Sequence, residues 1–136
     1  MGGSSNSGRL QVALLALRLG VFITMAVWTV DKFVRPEHTA AVFSHFYLIE
    51  NLSSTASYIV GAIQGLIVLA FVLGIKKRFS YGIVLLLHAI STFSCFKQYL
   101  DPYAEGPNIL FFAAWPMLAA CLALYLLRDQ DTLLTA

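Results

Sequence analysis

Residues 56–99, ASYIVGAIQGLIVLAFVLGIKKRFSYGIVLLLHAISTFSCFKQY, decide the fold. Two apolar stretches of about twenty residues flank a tight basic run, Lys76-Lys77-Arg78. About twenty apolar residues is the length a helix needs to cross the hydrocarbon core of a bilayer. An isolated strand cannot cross, because its backbone groups would be unpaired in lipid. The stretch therefore reads as a hairpin of two membrane helices with a short connection.

Two more apolar stretches extend the pattern. The four run about Leu10–Val30, Ala56–Ile75, Phe79–Tyr99 and Ile109–Leu127. The whole chain of 136 residues is 59% hydrophobic and only 12% charged. Soluble domains carry about 25% charged residues, so lipid rather than water is expected around most of the surface. The expected fold is all-α: a four-helix integral membrane bundle, up-down-up-down, at residues 10–128. Residues 1–9, rich in Gly and Ser, read as a disordered tail, and 129–136 as a second tail. The first apolar stretch is too long for a signal peptide and lacks a small-residue cleavage site. A net charge of +2 gives no sign of nucleic-acid binding.

Lys and Arg set the orientation. Arg9, Lys76, Lys77, Arg78 and Arg128 fall on one side, and Lys32, Arg35 and Lys97 on the other. The first side is expected to be cytoplasmic, with both termini on it. On the outer side, Pro36 and Glu37 suit the first turn of a new helix. The TAAVFSHFYLIEN that follows is apolar but too short to span, so a short interfacial or re-entrant helix is expected. LDPYAEGPN, with two prolines and a glycine, is a loop. Tyr47, Tyr58, Tyr99 and Tyr103 lie near the outer boundary, as in an aromatic belt. Asn51-Leu52-Ser53 fits the short N-glycosylation pattern.

Polar residues at membrane depth are the first candidates for function. Arg18 lies about 12 Å inside its span. It recurs with Gln11, Met25 and Lys32 every seven residues, which places all four on one helical face directed toward the bundle. Arg18 either holds an anionic head group, a quinone oxygen or a partner carboxylate, or snorkels to the head groups. His88 sits mid-span, followed at helical spacing by Ser91, Thr92, Cys95 and Gln98. It could relay protons or ligate a metal, or be a core histidine bonded to a hydroxyl on a neighbouring helix. Gln64 lies at similar depth. Arg18, Gln64 and His88 are therefore expected as one midplane cluster.

Toward the outside, Lys32, His38, His45 and Cys95 are candidates for contact with a partner or a metal. His38 and His45, with Glu37 or Asp31, could hold an ion, although no third ligand is fixed. Cys95 and Cys121 differ in depth by on the order of 14 Å, too far for a disulfide, which needs Cα atoms within about 7 Å. Ser57, Gly61 and Gly65, and likewise Ala119 and Ala123, form small-residue faces for close helix packing. Pro116 is expected to bend the fourth span near its middle, which could open a pocket beside Trp115. No Asp or Glu lies within any span, and no P-loop, GxSxG or HExxH occurs.

Arg18, Phe22, Trp28, Lys32, Phe33 and Pro36 in RLGVFITMAVWTVDKFVRPEHTAAVF, and GLIVLAFVLGIKKR at the end of the second span, resemble the DoxX-like family of small four-span membrane proteins. The resemblance covers roughly Leu17–Tyr81 and more loosely the rest. Departures occur at Val27 and Trp28, where relatives often have Gly, and at Gly61, where they often have Glu, with Gln64 one turn later. The resemblance implies a bacterial inner-membrane protein. Relatives include DoxD-type subunits linked to thiosulfate oxidation with quinone, and MauE-type proteins that mature a periplasmic dehydrogenase. Three functional expectations follow: a redox-linked subunit working with quinone and a periplasmic partner; an assembly or anchoring subunit of a membrane complex; and a small-molecule or lipid carrier.

Overall fold

A computed structural model describes residues 3–135, with side chains described from residue 7 onward. Every regular element among them is helical. The helices are α1 (Gly3–Val34), α2 (Pro36–Tyr47), α3 (Ser54–Leu73), α4 (Lys77–Ser94), α5 (Phe96–Leu100) and α6 (Ala114–Leu126). A 3₁₀ segment, Asn108–Ala113, leads into α6, and a 3₁₀ turn at Arg128–Gln130 follows it. Three stretches, Ser7–Val34, Ser54–Leu73 and Asn108–Leu126, are long and apolar enough to cross a membrane. That is the signature of a membrane protein.

The local chemistry explains the boundaries. α1 begins at Gly3, inside the stretch read as a disordered tail; once a helix is nucleated, each added residue brings a hydrogen bond and extension is easy. Pro36 at the first position and Glu37 in the first turn start α2 as expected, and it ends at Leu48 in the left-handed region, φ 58°. Ser53 caps α3 by accepting a hydrogen bond from the Ala56 amide at 3.1 Å. Gly74, φ 69°, ends α3 and bonds back to the Ala70 and Phe71 carbonyls.

Two expected spans differ from their reading. The stretch Phe79–Tyr99 is interrupted at Cys95, so α4 ends at Ser94 and the five-residue α5 follows. Pro116 does not bend the middle of a continuous helix. It stands in the first turn of α6, where its missing N–H costs nothing, and the residues before it wind as the tighter 3₁₀ form.

α1 packs on α3 and α6, α4 packs on α3 and α6, and α2 lies against α1 and α3. The seven-residue recurrence on α1 does face inward: Arg18, Met25 and Lys32 are buried, together with Leu14, Val21 and Thr29. Val68 and Phe71 of α3, Tyr81 and Val84 of α4, and Cys121 and Leu124 of α6 complete the core. On α6 the buried face is therefore beside, not along, the expected Ala119–Ala123 row, and Ala119 is exposed. Ile23, Ile63, Leu66 and Leu86 point outward, as lipid-facing residues would.

The small face of α3 lies tightly against α1. Ser57 is buried and donates a hydrogen bond to the Lys32 carbonyl at 2.8 Å. A Cβ added at Gly61 would lie 2.8 Å from the Phe33 ring and 3.2 Å from the Lys32 Cβ, whereas one at Gly65 would meet Thr29 at an ordinary 3.5 Å. Gly61→Leu is therefore expected to destabilise the protein by about 1–3 kcal/mol through overpacking, while Gly65→Ala holds or raises the melting temperature in detergent. Thermal melts of both variants check the contrast.

Candidate functional site

Two polar features stand out, one at each end of the buried face of α1. At the inner end, Arg18 is 1% exposed and Asp131 0%. Their side chains face each other, with Arg18 Nη1 3.5 Å from Asp131 Oδ2. Tyr81 donates its hydroxyl to the same carboxylate oxygen at 2.6 Å. Arg18 Nη2 also donates to the Leu133 carbonyl, and Lys77 Nζ to the Asp131 carbonyl. The C-terminal residues thus fold back between the helices, and Thr135 reaches Gly74 at the end of α3. Of the roles considered for Arg18, the structure shows a partner carboxylate, supplied by the chain's own tail.

The expected midplane cluster does not assemble around Arg18. Gln64 donates to Thr29 Oγ1 at 2.9 Å. Thr29 lies eleven residues along α1 from Arg18, or about 16 Å at 1.5 Å per residue. His88 donates from Nε2 to the Ala114 carbonyl at 3.0 Å, a backbone partner rather than a neighbouring hydroxyl. Depth inferred from position within the apolar runs failed because the offset of α1 against α3 is set by their contact at Gly61.

Gln64 and His88 do share something else. Both line a cavity of about 950 Å³ enclosed by α1, α2, α3, α4, α6 and the 3₁₀ segment. Val21, Met25, Met117 and Ala120 give it apolar walls. Its polar groups are few and come mainly from Lys32, Gln64, His88 and the Ser91–Cys95 stripe of α4. α2 covers it with Phe43, Phe46 and Tyr47, and Tyr47 is tied to α4 by a 2.9 Å hydrogen bond to Ser91. Gly20 and Thr24 of α1, with Ala113 and Pro116, line the cavity and are also exposed. Nothing lies within 4 Å of a Cβ placed on Gly20, so the wall borders open space there. The size is at the upper end of the roughly 300–1,000 Å³ typical of ligand sites, and mostly apolar walls with a few placed polar groups are their usual make-up. The pocket expected beside Trp115 from a bend at Pro116 is not what forms: Pro116 lines this cavity, whereas Trp115 is not part of its wall and packs on Phe93 and Tyr99.

The outer candidates resolve differently. Lys32 and Cys95 face the cavity rather than the outer surface. His38 Nδ1 sits 2.5 Å from Asp31 Oδ2, and Arg35 Nε donates to Asp31 Oδ1 at 2.7 Å. His45 meets Phe46 edge-on. Among the described residues no group of three His, Cys, Asp or Glu side chains is placed to hold a metal ion. Cys95 and Cys121 are both free thiols, Cys95 half-buried and Cys121 buried.

Asp131, Tyr81, Thr29 and the aromatics of α2 are site residues that sequence reasoning missed. A usable signal existed for Asp131. A guanidinium buried on the inner half needs a carboxylate, and Asp129 and Asp131 are the acids expected on that side.

No protein-family model, curated protein or solved structure matches the chain.

Removing one member of a buried ion pair leaves the other charge uncompensated, at a cost of about 3–5 kcal/mol. Asp131→Ala is expected to lower thermal stability in detergent by that order. Combining Asp131→Leu with Arg18→Leu should recover much of the loss, because no buried charge remains. A double variant as unstable as the sum of the two singles would show that the pair is not coupled.

Proposed function

We propose that the chain is a four-span membrane protein that binds a lipid-like molecule in the cavity between its helices. The observation that carries this reading is the cavity itself: about 950 Å³, mostly apolar, and open sideways at Gly20. In a bilayer that opening faces acyl chains, so an apolar ligand reaches the site without leaving the membrane. Of the three roles expected from the sequence, the small-molecule or lipid carrier fits this cavity best, although no bend at Pro116 forms it.

In this reading α4 is the fourth span. Its packing between α3 and α6 supports that, and its polar residues, His88, Ser91 and Thr92, are those lining the cavity rather than facing lipid. The up-down-up-down order follows, with α2 as an interfacial helix over the outer end. The tail, Lys77 and Gly74 lie together, and this supports both termini on the side of the basic turn, the cytoplasmic side of a bacterial inner membrane by the positive-inside rule.

A second reading keeps the DoxX-like resemblance and makes the ligand a quinone in a redox-linked subunit with a periplasmic protein partner. The Cys95 thiol and the His88 imidazole on the cavity wall favour it, since both would lie beside a quinone head.

A long-chain probe carrying a photoreactive diazirine, added to membranes containing the protein, tests the binding reading. Labelling is expected in peptides that contain Met25 and Met117. Gly20→Leu should reduce it severalfold by filling the opening, while the melting temperature holds or rises, because replacing a helix-interior glycine gains up to about 1 kcal/mol. Labelling confined to outward residues such as Ile63 and Leu66, equal in both proteins, would overturn the reading.

A further inference from the structure

α1 carries two buried cations on one face, and the protein treats them differently. Arg18 has Asp131. Lys32, two heptads further along the helix, is 8% exposed. Its one hydrogen bond runs to the Trp28 carbonyl at a long 3.4 Å. Among the described residues no carboxylate forms an ion pair with it. The neighbouring carboxylate, Asp31, is committed on both oxygens, to Arg35 at 2.7 Å and to His38 at 2.5 Å. An ammonium group has three donors and strongly disfavours an apolar site without an anion.

The usual escape for a lysine near the end of a span is to extend its stem to the head groups. Lys32 has not done so. Its Cβ is pressed against Gly61, where α1 and α3 approach most closely, and its side chain lines the cavity together with Trp28, Phe43 and Gln64. This cation without a carboxylate partner therefore belongs to the wall of the proposed ligand site.

We infer that the occupant of this cavity is an anionic amphiphile whose negative head pairs with Lys32 while its apolar chain runs along Val21, Met25 and Met117 toward the opening at Gly20. This rests on the ligand-binding reading above and narrows it to a charge class. Gln64 lies on the same wall and offers an amide beside the head. A carboxylate or a phosphate satisfies the site equally, so a free fatty acid and an anionic phospholipid share the required chemistry.

The test uses the full chain purified in a maltoside detergent, with radiolabelled palmitate as probe and unlabelled palmitate, hexadecanol and phosphatidylglycerol as competitors. Palmitate should compete at least about tenfold better than hexadecanol, the factor expected from one charge-assisted pairing. Lys32→Met, which keeps an unbranched stem, should abolish that preference and leave hexadecanol competition unchanged, and Lys32→Arg should retain it. Whether phosphatidylglycerol displaces palmitate assigns the head to a membrane phospholipid or to a free acid, and either result supports the pairing. Equal competition by palmitate and hexadecanol, or a preference that survives in Lys32→Met, overturns the anion inference and leaves the cavity reading standing. No displaceable binding of any chain by the unaltered protein overturns both. Should Lys32→Met not fold, the comparison of palmitate with hexadecanol on the unaltered protein decides alone.

Discussion

A charge buried where water cannot reach it must meet an opposite charge, and the pairing of Arg18 with Asp131 meets that requirement at the inner end of this protein. The pair does more than neutralise a guanidinium. It draws the C-terminal tail back between the helices, engages Tyr81 of α4, and sets Lys77 and Leu133 in the same network. α1, α4 and the tail are thereby joined at one point, and the inner end of the helix assembly is closed. Neither Arg18 nor Asp131 is part of the cavity's lining.

The outer half depends on a different constraint. Ser57 and Gly61 let α3 approach α1 so closely that the stem of Lys32 lies against the glycine. Gly20 of α1 and Pro116 of α6 line the cavity and are also exposed, and there the cavity meets the surface. The 3₁₀ segment before α6 follows from Pro116 and shapes the same wall, presenting Leu110 and Phe111 to the cavity. α2 then covers the outer end with aromatic side chains, held to α4 through Tyr47 and Ser91. Small residues bring α1 and α3 together, while an exposed glycine and a proline stand where the cavity meets the surface. The two packing choices together leave room for a ligand.

Much of this was legible in the sequence because it rests on periodicity. The seven-residue spacing of Gln11, Arg18, Met25 and Lys32 identified the inward face of α1, and Ser57, Gly61 and Gly65 identified the contact face of α3. Pro36 and Glu37 marked the start of α2. What failed rested on depth and on distant contacts. Arg18, Gln64 and His88 were matched by their position within apolar runs, yet α1 begins at Gly3 and its offset against α3 is fixed by the glycine contact, which no single helix encodes. Asp131 escaped because a short polar tail carries no periodic signal of its return. His88 was correctly placed on a polar stripe, but its partner is a backbone carbonyl of α6, and backbone acceptors are invisible in side-chain patterns. Lys32 was counted as an outer charge from its place at the end of a run, although the same seven-residue spacing already turned it inward.

Of the two buried cations of α1, Arg18 is paired within the chain and Lys32 has no carboxylate in ion-pair reach, which is why we propose an anionic ligand for it. Native mass spectrometry of the protein released gently from the membranes in which it is made, beside its Lys32→Gln variant, tests this most directly. The account predicts a single organic anion of lipid-like mass on the unaltered protein and its loss from the variant. An unaltered protein that flies bare, or one that carries the same adduct with and without the lysine charge, would contradict it.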